Sequence, residues 1–148
     1  PDTHYKVLQV IAEALRSWSE EEDLSKLRVW GYRNVWYRFH PAEINRIVPV
    51  SLNAMGVMDD AFTNSYLSQV EASFPSYQHD GKFSDLTKRI WVEQLKEVQL
   101  LVGKHFFYQN ESPRVRTTHG LLFFKEMSLD EFLETARELE KSMEGVVL

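Results

Sequence analysis

Six side chains recur at even spacing between positions 28 and 40: Arg28, Trp30, Tyr32, Trp36, Arg38 and His40. In an extended chain alternate residues project to the same side, so these six form one face of a strand. Guanidinium groups stack on indole and phenol rings by cation–π attraction. Trp, Tyr and Arg also dominate the energetics of protein interfaces, and the same rings offer stacking planes to the bases of a single strand. This face is therefore expected to bind a partner, with another protein as the first reading and nucleic acid as the alternative. The opposite side collects Leu27, Val29, Val35, Tyr37 and Phe39. A plainer arrangement is a strand buried on both sides, whose arginines pair with the acidic run Glu20-Glu21-Glu22-Asp23.

A second cluster, SPRVRTTHG at 112–120, brings together Arg114, Arg116, Thr118 and His119. Guanidinium groups grip phosphate or carboxylate through two parallel hydrogen bonds, so these four are candidates for an anion site. The segment lacks the glycine spacing of a phosphate-cradling loop, and a solvated hairpin is the first reading, ahead of the anion site. The five histidines are scattered without an i, i+4 pair, and His79-Asp80 is the one adjacent His–carboxylate pair. No metal site is expected from that distribution. A G-x-S-x-G elbow is absent, as is any cofactor-binding motif, so no cofactor is expected. A small enzyme working through His79 and His119 is the third and least supported reading.

Composition narrows the field further. The 148 residues are 43% hydrophobic and 26% charged, a mix that can bury enough surface to fold. There is no cysteine, which excludes disulfides, thiolate chemistry, cysteine-ligated zinc and iron–sulfur clusters and fits a cytoplasmic or other reducing intracellular compartment. The net charge is −5 and the pI is about 5.5. Nucleic-acid binders are usually basic, because phosphate contact is electrostatic, and this acidity ranks a protein partner above nucleic acid. No apolar run is long enough for a membrane span, so no membrane partner is expected. The first twenty residues carry Asp2, Glu13 and Glu20 and no long apolar block, unlike a secretory signal. The chain opens on Pro1, as expected of a processed product or of part of a longer chain.

The elements that must position these groups follow from periodicity. Residues 3–20 predict a helix with Val7, Leu8, Ile11, Leu15 and Trp18 on one face. Its start, HYKVL, resembles the opening of a J-domain over those five residues alone; no His-Pro-Asp follows, and His40-Pro41-Ala42 does not replace it. Residues 27–40 also admit a helical period through Val29, Tyr32, Trp36 and Phe39, but their aromatic and β-branched content favours extended chain with a break near Gly31 or Asn34. A short helix over 42–48 behind Pro41, a connection over 49–57, and a long helix from Asp59 or Asp60 to about Phe74 come next. A turn-rich loop over 75–83 precedes a helix over 85–102, capped by Ser84 and stopped by Gly103. Residues 114–125 predict one or two strands. Ser128 and Glu131 then form a capping box before a last helix closed by Gly145. The expected fold is α+β and helix-rich: a single domain over 1–148 with about four main helices and a small sheet from the 27–40 and 114–125 regions.

Overall fold

The computed structural model describes residues 3–33, 39–70 and 81–144. In order these form helix α1 (Thr3–Glu21), strand β1 (Arg28–Gly31), strand β2 (Arg46–Val50), helix α2 (Leu52–Asn64), helix α3 (Phe83–Val102), two short helices α4 (Lys104–Tyr108) and α5 (Pro113–Arg116), strand β3 (Gly120–Ser128) and helix α6 (Leu129–Glu144). The fold is α+β and helix-rich, with a three-stranded sheet in the order β1-β3-β2. Strands β1 and β3 arise from the two regions where extended chain is expected. No described helix is long and apolar enough to cross a membrane.

Several elements differ from their expected bounds for identifiable reasons. The predicted short helix over 42–48 is a single 3-10 turn, Pro41–Glu43, followed by strand β2. Arg46-Ile47-Val48-Pro49-Val50 is β-branched, and Pro49 is tolerated because β2 lies at an edge of the sheet. Helix α2 starts seven residues earlier than Asp59, because the Ser51 hydroxyl accepts from the Ala54 amide at 3.2 Å and caps it there. It ends at Asn64, short of the expected end near Phe74, which lies outside the described residues. Helix α3 is capped at Lys82, which places Ser84 inside its first turn rather than at the cap. Gly103 stops it with φ +84°, a backbone angle that favours glycine. Over 113–116 a helical turn replaces the expected strand, because Pro113 presets the first helical position.

The chain divides into two compact units, Pro1–Gly31 with Glu126–Leu148, and Tyr32–Lys125. Strand β3 contributes residues 126–128 to the first and 120–125 to the second. In the first unit α1 packs on α6 through Ala12, Phe132 and Ala136, with Leu8, Leu15, Val29, Met127 and Leu133 around them. Two buried alanines let the helices approach closely, and the Gln9 side chain donates to the Ala136 carbonyl at 3.1 Å. The inward stripe of α1 is therefore Leu8, Ala12 and Leu15. Val7, Ile11 and Trp18, expected inside, are exposed. The Ser128 hydroxyl accepts from the Glu131 amide at 3.1 Å and caps α6.

In the second unit β3 pairs antiparallel with β2, from Arg46 opposite Phe124 to Val50 opposite Gly120. Leu121 and Phe123 are fully buried with Leu95 of α3 and Phe107 of α4. Gly120 passes so close to α3 that a Cβ there would lie 2.9 Å from Trp91 Cβ, 3.2 Å from the Trp91 carbonyl carbon and 2.6 Å from Met55 Cε. The methionine tip can swing aside; the base of Trp91 cannot. A polar tie joins α2 to α3. The Asp59 carboxylate accepts from the hydroxyl of buried Ser84 and lies 3.3 Å from Lys88 Nζ, which also holds Asp85 at 2.8 Å. The Ser84 bond, and then Lys88, hold Asp59 below the ordinary aspartate pKa. The Asp85 bond leads in pushing Lys88 up.

Two predictions follow from this core. Gly120→Ala should cost about 1–3 kcal/mol from overpacking, and Phe123→Ala about 3–5 kcal/mol from the cavity it leaves, each read from urea unfolding; a neutral Gly120→Ala would show that β3 and α3 are farther apart. The Asp59 pKa lies below its unfolded value of about 3.9. Its contribution is therefore complete above that value and is lost as pH falls through the folded one. Asp59→Asn should thus lower the urea midpoint near neutral pH and flatten the loss of stability between about pH 5 and about pH 3; acid limbs identical to wild type would contradict the tie.

Candidate functional site

Strand β1 displays Arg28 and Trp30 on its outer side, while Val29 between them packs against the Ala12–Phe132–Ala136 core. Trp30 keeps 49% of its surface exposed. The Arg28 guanidinium donates to the Ser25 carbonyl at 3.1 Å and the Leu27 carbonyl at 2.8 Å. These bonds fold it over the loop that enters the strand and fix where its charge sits. The acidic run is exposed at the end of α1. Asp23 there accepts from the Ser25 amide at 3.0 Å, which shapes the same loop. Of the other residues expected on this face, Tyr32 and His40 belong to the second unit, and Trp36 and Arg38 lie outside the described residues. The imidazole of His40 accepts from the Ala42 amide at 3.2 Å, and its backbone N–H donates to Glu43 at 2.8 Å, so His40 caps the 3-10 turn.

Tyr32, 62% exposed, leans edge-on against Phe124 with ring centroids 6.3 Å apart. Beside it Arg33 stacks over Phe39 at 4.9 Å from the ring centre and faces Glu43 at 3.8 Å. Tyr32 and Arg33, with Thr87, Ile90, Trp91 and Gln94 of α3 and Leu122 and Phe124 of β3, line a cleft of about 170 Å³ within the second unit. Its walls are mostly hydrocarbon and aromatic. Gln94 is buried, with 3% of its surface exposed, and its Oε1 has no hydrogen-bond partner among the described residues. An unsatisfied buried carbonyl is costly. The sequence carries a faint signal for it: Gln94 falls one turn after Ile90 and Trp91, on the face of α3 that is otherwise apolar.

The proposed anion residues lie on and after α5. Arg116 donates to the carbonyls of Asn110 and Glu111, each at 2.8 Å. The Thr118 hydroxyl donates to the Arg114 carbonyl at 2.9 Å, and His119 Nδ1 sits 2.9 Å from the Thr117 carbonyl. The cluster thus spends much of its hydrogen-bonding capacity on its own backbone, and Arg114 is exposed on the turn. Among the described residues no group of three or more His, Asp or Glu side chains converges to hold a metal; His79 and Asp80 lie outside them. An apolar patch escaped the periodicity argument. Leu100, Leu101, Val102, Phe106 and Tyr108, at the end of α3 and on α4, are all exposed, Leu100 at 86%. Three consecutive apolar residues on a helix cannot all face one core, and that was the available signal.

Comparison with protein-family models, with curated proteins and with solved structures finds no match for this chain. The site therefore has to be interpreted from its own geometry. Gln94→Met keeps the length of the side chain and removes the unpartnered carbonyl, so it should raise stability by about 1 kcal/mol in urea unfolding. A loss of stability would mean that the amide already has a structural partner.

Proposed function

We propose that the chain is a non-enzymatic protein-interaction module that docks on a partner protein through the outer side of β1. The observation that carries this reading is the juxtaposition of half-exposed Trp30 and exposed Arg28 on one side of a strand whose other side is anchored in a core. Burying the exposed half of the Trp30 indole would stabilise a complex by about 1.5–3 kcal/mol before the costs of association. Arg28 supplies a cation beside it, so the partner surface that fits is an apolar recess flanked by carboxylates. An adaptor, an assembly factor or an accessory subunit would all use such a face.

Further support comes from the amount of apolar surface in water. Besides Trp30, the first unit exposes Val7, Val10, Ile11 and Trp18 along α1. The second exposes the Leu100–Tyr108 patch. Contiguous exposed apolar surface is a mark of interaction sites.

The test is affinity capture from the native cell with wild type, Trp30→Ala and Arg28→Ala side by side, followed by mass spectrometry and a binding measurement on the protein retained. The expected result is a protein that wild type holds and Trp30→Ala loses, with affinity reduced about 30-fold, the effect of a hot-spot residue worth roughly 2 kcal/mol. Arg28→Ala should weaken binding and reduce its salt dependence. Both variants should keep the far-UV circular dichroism of wild type. Unfolding of Trp30→Ala, or equal capture by all three proteins, would remove the reading.

A further inference from the structure

We infer that the cleft between α3 and β3 in the second unit is a binding site for an uncharged monocyclic aromatic group that carries a hydrogen-bond donor, the phenol class of ligand. The inference goes beyond the docking face, since neither Arg28 nor Trp30 lines the cleft.

Size comes first. The cleft measures about 170 Å³, and an apolar cavity of roughly 150 Å³ is known to accept one benzene ring. The walls set the ring character. Ile90 and Leu122 provide aliphatic contact and Trp91 and Phe124 aromatic contact, which suits a flat apolar group in offset or edge-on packing. Charge comes next. Arg33 stands at the cleft, but its guanidinium lies over Phe39 and faces Glu43. Among the described residues that line the cleft, Arg33 is the one cation, and Glu43 offsets it. Of the other polar groups on the lining, the Thr87 hydroxyl donates to the Phe83 carbonyl at 3.0 Å, the Tyr32 side chain is exposed, and the Gln94 amide is buried. Its Oε1 is buried and has no partner, and the last torsion of a glutamine is soft. The proposed contact requires that amide to turn its buried carbonyl toward a donor seated in the cleft. A phenolic O–H would supply what the folded chain lacks, while the ring fills the space around it. The mouth is bordered by Tyr32, which is exposed, so a ring can enter either as a free molecule or as a tyrosine side chain.

The experiment is a titration of the whole chain, labelled with ¹³C at isoleucine and leucine methyls, followed at Ile90 and Leu122. The probes are phenol, fluorobenzene (a ring of similar shape with no donor) and N-acetyl-tyrosinamide. Phenol should shift both methyls with a Kd on the order of 1 mM, a reasonable value for so few atoms. The ratio of the fluorobenzene Kd to the phenol Kd should fall about tenfold on going from wild type to Gln94→Met, or to Gln94→Leu as a second isostere. Binding by N-acetyl-tyrosinamide as tight as phenol would assign the donor to a ring carried on a peptide; binding by phenol alone would assign it to a free small molecule. Absence of shifts at Ile90 and Leu122 with phenol at about ten times that concentration would overturn the proposal. So would a phenol preference unchanged in both Gln94 variants. Neither result would touch the Trp30 capture experiment, so the two readings fail separately.

Discussion

The larger unit depends on a missing side chain. At Gly120 the backbone of β3 lies against the base of Trp91 on α3, closer than any Cβ would allow. Leu121 and Phe123, on the opposite side of the strand from the Cβ direction of Gly120, are buried with Leu95 and Phe107. The alternate residues, Leu122 and Phe124, face the other way and line the cleft with Ile90, Trp91 and Gln94. One strand thus builds the core with one set of side chains and the cleft with the other, as the two-residue period of a strand dictates. Strand β2 completes the arrangement by pairing from Val50 opposite Gly120 outward, and the Asp59–Ser84–Lys88 tie holds α2 to the start of α3.

The smaller unit solves a different problem. Helices α1 and α6 meet through alanines and one phenylalanine, which is a thin contact for two long helices. Val29 adds the inner side of β1 to it. The cost of so small a core is apolar surface left outside: Val7, Val10, Ile11 and Trp18 along α1, and Trp30 on β1. Alternation along Arg28-Val29-Trp30 puts Arg28 and Trp30 on the exposed side of β1 and Val29 against the core.

Part of this was legible from the residues. The period of two over 28–32 placed Arg28 and Trp30 on one side, and the apolar run after Gly120 pointed to a strand. Gly103 and Ser128 marked the ends of helices that the backbone does respect. The misplacements have physical causes. On α1 the apolar residues exceed one stripe, and the choice between Val7–Ile11–Trp18 and Leu8–Ala12–Leu15 rests on which small residue the facing helix requires. Pro49 suggested a stop, yet an edge strand accepts a proline without losing an interior hydrogen bond. Ser51 outcompeted Asp59 as a cap because the helix could begin earlier. Nothing local announced the cleft, since it needs α3, β3 and the chain around Tyr32 together, and sequence shows only that Gln94 sits oddly among apolar neighbours.

The account rests most heavily on the indole of Trp30 standing in water before any partner arrives. The direct measurement is ¹⁹F NMR of the isolated chain labelled with 5-fluorotryptophan. The Trp30 resonance is assigned by its loss in Trp30→Phe, and its shift is compared between H₂O and D₂O. The account predicts a clear solvent isotope shift for Trp30 in the folded protein, a large part of that seen in urea. A Trp30 signal with no isotope shift, like that of an indole sealed in a core, would contradict it.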